Sequence, residues 1–381
     1  MSAPRSPLGD SAPLVAPLYQ SSVYTLPDLD ALDRIMNGDA PGFIYARDSH
    51  PNARQLADEL TALENSTWTV VCGSGMGAIS ALFLAILQQG ERVVASNHLY
   101  GRTTQLLHQE LSRYGVETES VDPGDLDQVR ASLEKPARIL FVETMSNPLL
   151  RLVDIEALAV LAHESDCRLV VDNTFATPVL TRPLELGADL VMESLTKMIG
   201  GHADVTLGSV SGRDPEMLPQ ISQVVSIWGM ASNPFDCWLA ARGLATLPLR
   251  MQAASANAAA LADWLATQPA MAQVVYPARR DHPDHALAGR LLQGGCGNML
   301  CFELHDGRAG VNRFLRLAPG IPLSPSLGNI TTTCSHPATT SHRYASPAER
   351  KRQGIGDGLV RLSVGVEELA RIQEELAKGL G

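Results

Sequence analysis

An amine and a carboxylate stand at the ends of two apolar runs in this sequence. Leu190-Val191-Met192 leads into Ser194-Leu195-Thr196-Lys197, and Arg168-Leu169-Val170-Val171 leads into Asp172-Asn173-Thr174. Delivered from two buried strands, such a pair is what a pyridoxal phosphate site requires: the amine forms a Schiff base and the carboxylate keeps the ring nitrogen protonated. Gly200-Gly201-His202 follows the lysine and lets the backbone approach a ligand closely. A lone lysine after a strand is ordinarily a solvated surface residue. Asp172 alone also reads as a cap for the segment after it. Together they argue for chemistry, because a carboxylate closing an apolar strand is costly unless paired.

Ser194 and Thr196 place hydroxyls two residues apart on the approach to Lys197, which suits phosphate oxygens. Upstream, Gly73-Ser74-Gly75-Met76-Gly77 follows one strand and opens an apolar helix, so its backbone N–H groups and the helix dipole form an anion cradle. The same run also reads as a tight strand-to-helix turn that binds nothing. It begins like a dinucleotide fingerprint too, but Ile79 and Ser80 stand where a third glycine belongs.

These residues need a scaffold of buried strands, and the composition allows one. With 381 residues, 45% of them apolar, the chain can bury a large core and is expected to form two or more domains. The net charge of -11 is spread over scattered acids without a basic run, which makes nucleic acid and anionic membranes poor partners. Six cysteines sit singly, without metal-ligand spacing, so they read as reduced thiols of a cytoplasmic protein with no metal site. No signal-peptide core follows Arg5, and the apolar run around Ile79 to Leu87 is too short to span a bilayer.

Short apolar strands alternate with longer helical patterns, the signature of an α/β fold whose mostly parallel sheet is wrapped by helices. Residues 1–55, rich in Pro, Ser and Gly, read as an extended arm lying on a neighbouring subunit. Residues 56–245 are expected to form the large domain, with strands at Thr69-Val70-Val71, Arg92-Val93-Val94, Ile139-Leu140-Phe141-Val142 and before Asp172 and Ser194. After Asn233 an Ala-rich helical stretch reaches about Trp264. Residues 246–381, with strands such as Met299-Leu300-Cys301-Phe302, are expected to form a smaller α+β domain.

From Ala16-Pro17-Leu18-Tyr19-Gln20-Ser21-Ser22 the chain continues through Tyr45-Ala46-Arg47, Ser74-Gly75-Met76, Leu99-Tyr100-Gly101, Glu143-Thr144-Met145-Ser146-Asn147-Pro148, the Asp172 and Lys197 motifs, and Arg361-Leu362-Ser363-Val364-Gly365-Val366-Glu367. In order and spacing these resemble the Cys/Met metabolism family of pyridoxal phosphate enzymes. That fold-type I group contains cystathionine γ-synthase, cystathionine γ-lyase, cystathionine β-lyase, methionine γ-lyase and the homoserine-ester sulfhydrylases. The resemblance implies that Lys197 carries the Schiff base and shuttles protons, that Asp172 pairs with the ring nitrogen, and that Tyr100 stacks on the ring and serves as an acid or base. It implies that Gly75, Met76, Ser194 and Thr196 hold the phosphate, with Tyr45 and Arg47 reaching in from the neighbouring subunit of a homotetramer built as a dimer of dimers. Asn147 would bond the cofactor's phenolic oxygen and face the substrate, and Arg361 with Ser326 would clamp the substrate's α-carboxylate. Without the resemblance, Tyr100 reads as a core aromatic, Asn147 as a turn residue and Arg361 as a surface ion-pair partner.

The implied reaction is γ-elimination or γ-replacement on an amino-acid substrate. Cystathionine γ-lyase-like elimination ranks first, γ-synthase or O-acyl-homoserine sulfhydrylase second, and methionine γ-lyase or cystathionine β-lyase behind them. Departures from the family pattern bear on that ranking. His50 stands in Ser49-His50-Pro51-Asn52 and reads as structural; Arg102 follows Tyr100-Gly101 where methionine γ-lyases tend to have Cys. Ser326-Leu327-Gly328-Asn329 is not followed by the acid that many cystathionine enzymes carry. A nucleotide-dependent oxidoreductase and a non-catalytic assembly module are the other readings, and both leave the Lys197–Asp172 pair unexplained.

Overall fold

The computed structural model describes residues 11–343 and 346–381, without the side chain of Glu349. Seven strands form the larger sheet: β1 (Trp68–Cys72), β2 (Arg92–Ser96), β3 (Glu117–Val121), β4 (Ile139–Glu143), β5 (Arg168–Asp172), β6 (Leu190–Glu193) and β7 (Gly208–Gly212), in the order β1-β7-β6-β5-β4-β2-β3. Neighbours from β6 to β3 are parallel, and β7 runs antiparallel to both β6 and β1. Apolar runs such as Trp68-Thr69-Val70-Val71-Cys72 and Ile139-Leu140-Phe141-Val142 are buried along their whole length because helices cover both faces.

The two-residue alternation of a strand divides the core between those faces. Val71, Val94, Leu140, Val171 and Val191 meet Leu56 and Leu60 of the helix Pro51–Glu64, Leu158 and Ala162 of Ile155–Glu164, and Cys237 and Ala240 of Pro234–Leu244. Val70, Val93, Phe141, Val170 and Met192 meet Ile79 and Phe83 of Gly75–Ile86 and Ile221 and Val225 of Met217–Ile227. Phe83 and Phe141 tilt against each other with centroids 5.2 Å apart.

A second sheet contains β8 (Met271–Val275), β9 (Met299–Leu304), β10 (Thr333–Ser335) and β11 (Leu359–Ser363), in the order β10-β11-β9-β8, antiparallel throughout. Leu261 and Leu265 of Leu247–Leu265, Val311 and Phe314 of Gly307–Leu317, and Ile372 and Leu376 of Leu369–Leu380 pack on Leu300, Phe302, Val360 and Leu362. Among the described residues no helix is long and apolar enough to cross a membrane, and no cluster of His, Cys, Asp and Glu could hold a metal ion.

The expected strands are present, and the structure adds two that lack an apolar run. β3 is an edge strand with polar, largely exposed residues, Glu117-Thr118-Glu119-Ser120 before the buried Val121. β7 is Gly-Ser-Val-Ser-Gly, buried throughout because small residues fit beneath Trp68 and against Ser74 and Gly75. Within residues 1–55 the helix Leu29–Met36 forms, its first turn capped by the side chain of Asp28 accepting from the Ala31 N–H. The Ala-rich stretch after Asn233 is two helices, Pro234–Leu244 and Leu247–Leu265, separated at Ala245-Thr246 with Pro248 in the first turn of the second.

Candidate active site

The carboxyl ends of β4, β5 and β6 open into a cavity of about 560 Å³, closed on the far side by Pro325, Leu327, the 339–341 segment and Arg361 of β11. Parallel strands are expected to present ligands at this end. Asp172 is the last residue of β5, and its Oδ1 accepts the Thr174 N–H at 3.0 Å. Burial pushes this carboxyl up to about 6, against the lowering effect of the Thr174 hydroxyl and N–H. A half-buried carboxylate held by so little is matched to a cationic partner.

Lys197 lies in the turn after β6, where its N–H donates to the Ser194 carbonyl at 3.1 Å. Its Nζ donates to Ser326 Oγ at 3.1 Å, and burial, followed by the nearby Arg361 cation, holds the amine below the ordinary lysine range. The shift is in the direction that favours the uncharged amine a nucleophile or base needs.

Gly75 and Met76 open the helix Gly75–Ile86, whose N-cap Ser74 accepts the Gly77 N–H at 2.9 Å. The first N–H groups of a helix have no intrahelical acceptor and point toward an anion. The close approach here requires glycine: a Cβ on Gly75 would lie 2.9 Å from Ser194 Cβ and Oγ. Ser194 in turn donates its N–H to Thr174 Oγ1 at 2.9 Å. Thr196 lines the same cavity, but its hydroxyl already donates to the Leu207 carbonyl and accepts the Leu207 N–H, both at 3.1 Å.

Arg361 is buried, with Nη1 donating to Asn147 Oδ1 at 2.8 Å and Nη2 to the Ser326 carbonyl at 3.3 Å. Asn147 thus faces the guanidinium, and Ser326 touches both Lys197 and Arg361. Tyr100 lines the cavity 41% exposed, at the start of the helical segment beginning at Gly101, so it is a rim residue and not a core aromatic.

Tyr45 and Arg47 are not among the residues lining this cavity; both are exposed, with the Arg47 guanidinium 5.1 Å from the Tyr45 ring centroid. His50 caps the helix Pro51–Glu64 by accepting the Ala53 N–H at 3.1 Å, a structural role. The Gly200-Gly201 run serves the fold and not a ligand. Gly201 has φ +73° and a Cβ there would collide with the Arg250 guanidinium, which donates to the carbonyls of Met198, Ile199 and Gly243.

The cavity also gathers residues to which the sequence reading assigned no site role: Glu143, Thr174, Arg102 and Arg343. Glu143 carries the same signal as Asp172, an acid ending a wholly apolar strand. Arg343 stands in no recognisable motif, and only the fold brings it to the rim.

Pyridoxal phosphate fits these residues: an amine held below its usual pKa, a half-buried acid in need of a cation, and a helix N-terminus with glycine at its closest approach. Lys197 would hold its aldehyde carbon, Asp172 its ring nitrogen, and Gly75, Met76 and Ser194 its phosphate.

The sequence matches the family described as Cys/Met metabolism PLP-dependent enzyme over residues 5–381. It is 40% identical over 343 residues to the O-succinylhomoserine sulfhydrylase of Pseudomonas aeruginosa, covering 90% of this chain and 85% of that one. It is 38% identical over 370 residues to an L-methionine gamma-lyase of Fusobacterium nucleatum subsp. polymorphum, covering 96% and 93%. The fold superposes on the crystal structure of cystathionine gamma synthase from Xanthomonas oryzae pv. oryzae in complex with cystathionine with a TM-score of 0.91, at 34% identity, covering 96% of this chain and 92% of that one.

Proposed function

Because the chain belongs to the Cys/Met metabolism PLP-dependent enzymes and is a lyase or sulfhydrylase of sulfur amino-acid metabolism, we propose that it catalyses γ-replacement on an O-acyl-homoserine. The acyl group ends in a carboxylate, as in O-succinylhomoserine, and sulfide or a small thiol is the incoming nucleophile. The observation that carries this reading is the charge of the cavity. Of its two acids, Glu143 is buried and Asp172 half-buried, while two exposed arginines, Arg102 and Arg343, stand among its lining residues. Cationic side chains favour a departing dicarboxylate over the distal ammonium of cystathionine, which would need an acid there. This reverses the order implied by the sequence resemblance, in which cystathionine γ-lyase-like elimination came first. γ-Elimination to a keto acid is the second reading, supported by the L-methionine gamma-lyases among the relatives.

When bound, pyridoxal phosphate supplies a ring that draws electrons from the substrate's α-carbon. Arg361 binds the α-carboxylate through its planar fork and fixes which substrate bond faces Lys197. Lys197 Nζ, held by Ser326 Oγ, takes the Cα proton and returns a proton further along the side chain. Asp172 keeps its negative charge beside the ring nitrogen. We further propose that residues 56–245 carry the cofactor, that residues 246–381 complete the substrate site, and that Tyr45 and Arg47 of the 1–55 arm serve the neighbour's phosphate in a cytoplasmic homotetramer.

The test compares O-succinylhomoserine, O-acetylhomoserine and cystathionine as donors, with sulfide present, reading homocysteine and keto acid separately. O-Succinylhomoserine should give homocysteine fastest, Arg102→Ala with Arg343→Ala should erase its advantage over the O-acetyl ester, and Lys197→Ala should be inactive with all three. Keto acid from cystathionine as the dominant product would reject γ-replacement in favour of the lyase.

A further inference from the structure

Glu143 has no part in the roles above, yet it is bonded to more of the site than any other acid. It closes β4 opposite Asp172, which closes β5, so the two carboxyl groups leave adjacent parallel strands on the same face and both line the cavity. Glu143 is 7% exposed. Its Oε1 accepts the Tyr100 N–H at 2.5 Å, and the backbone N–H of Asn147 also bonds to its carboxyl. One side chain thus ties the start of the Tyr100 segment and the Asn147 turn to the end of β4.

Two carboxylates side by side in a buried site cannot both stay charged cheaply. Burial and the neighbouring Asp172 raise Glu143 well above the ordinary carboxyl range, while Asp172 is raised only to about 6. Both carboxyls are thus pushed toward the neutral form, and one proton kept within the pair relieves the repulsion between them. A neutral carboxyl still accepts N–H bonds through its carbonyl oxygen.

We propose that Glu143 is a positioning residue that acts uncharged: it fixes Tyr100 and Asn147 around the cofactor and leaves Asp172 as the single negative charge beside the ring nitrogen. This rests on the cofactor roles assigned above. The experiment compares wild type, Glu143→Gln and Glu143→Ala as purified enzymes, stripped of cofactor and titrated with pyridoxal phosphate. It reads the dissociation constant and the visible circular dichroism band of the bound cofactor.

Gln is neutral and keeps an accepting oxygen, so its affinity and band should stay within about threefold of wild type. Ala loses both backbone bonds and should bind about tenfold or more weakly, with a reduced band. If Ala does not fold, Glu143→Leu fills the volume without accepting and takes its place. The inference fails if Ala or Leu matches wild type, or if Gln falls as far as they do, since a charge would then be what matters. A wild-type protein that never takes up pyridoxal phosphate would bring down the site roles themselves, whereas normal uptake with the wrong variant pattern removes Glu143 alone.

Discussion

Replacing Arg361 by Ala is the sharpest single perturbation of the substrate site. The guanidinium is buried, so its charge is little screened, and it already spends donors on Asn147 Oδ1 and the Ser326 carbonyl. Its Nε is buried without a partner. A carboxylate docking here gains charge-assisted bonds of about 1.5 to 3 kcal/mol each. Two such bonds amount to roughly 3 to 6 kcal/mol, a loss of about a hundred- to ten-thousand-fold in kcat/KM. Because the α-carboxylate is bound alike in ground and transition states, most of the loss should appear as a higher KM. Steady-state kinetics at fixed nucleophile would measure it, with the visible spectrum of the holoenzyme as a control that the cofactor remains. Arg361→Lys keeps the charge but not the fork and should fall between wild type and Ala. A kcat/KM within about threefold of wild type for the cofactor-loaded Ala variant would refute the carboxylate role.

Two further outcomes follow from groups away from that guanidinium. Burial raises Glu64 to about 7, and Glu193 beside it is raised as well, by burial first and then by Glu64. A folded-state carboxyl above its unfolded value stabilises the fold fully below the unfolded pKa, and that contribution is lost as pH rises through the folded one. Wild type should therefore lose on the order of 3 kcal/mol between about pH 5 and pH 8 relative to Glu64→Gln, read from urea midpoints; parallel pH profiles would discard this. If Arg47 serves the neighbouring subunit, co-expressing Arg47→Ala with Lys197→Ala should restore activity at roughly a quarter of the sites, because a hybrid dimer has one intact site; a mixture no more active than Arg47→Ala alone would place Arg47 in its own subunit's site or in none.

Much of the fold was legible because buried strands write themselves as apolar runs: Trp68 to Cys72, Ile139 to Glu143 and Arg168 to Asp172 each bury both faces. β7 was not legible because Gly and Ser fill its buried positions, where the space under Trp68 admits nothing larger, and β3 because an edge strand tolerates polar residues. In the site, Lys197 and Asp172 stood out by violating the strand pattern around them. Glu143 violates it in the same way and would have been found by the same argument, whereas Arg343 reaches the cavity only through tertiary contacts that no local pattern encodes. Thr196 was expected to address a ligand, and its hydroxyl is also shared with the backbone of Leu207, the residue just before the strand that the sequence did not announce.

The two sheets meet at the cavity through contacts between residues far apart in the chain: Lys197 with Ser326, 129 positions on, and Asn147 with Arg361, 214 positions on. All seven strands of the larger sheet leave the ribosome before either distant partner has been made. A nascent chain can thus complete the scaffold, with its acids and its glycine turn, while Lys197 and Asn147 still lack their partners. Competence for cofactor chemistry arrives almost last in synthesis, and once both partners are in place a tightly held cofactor favours the docked arrangement by mass action.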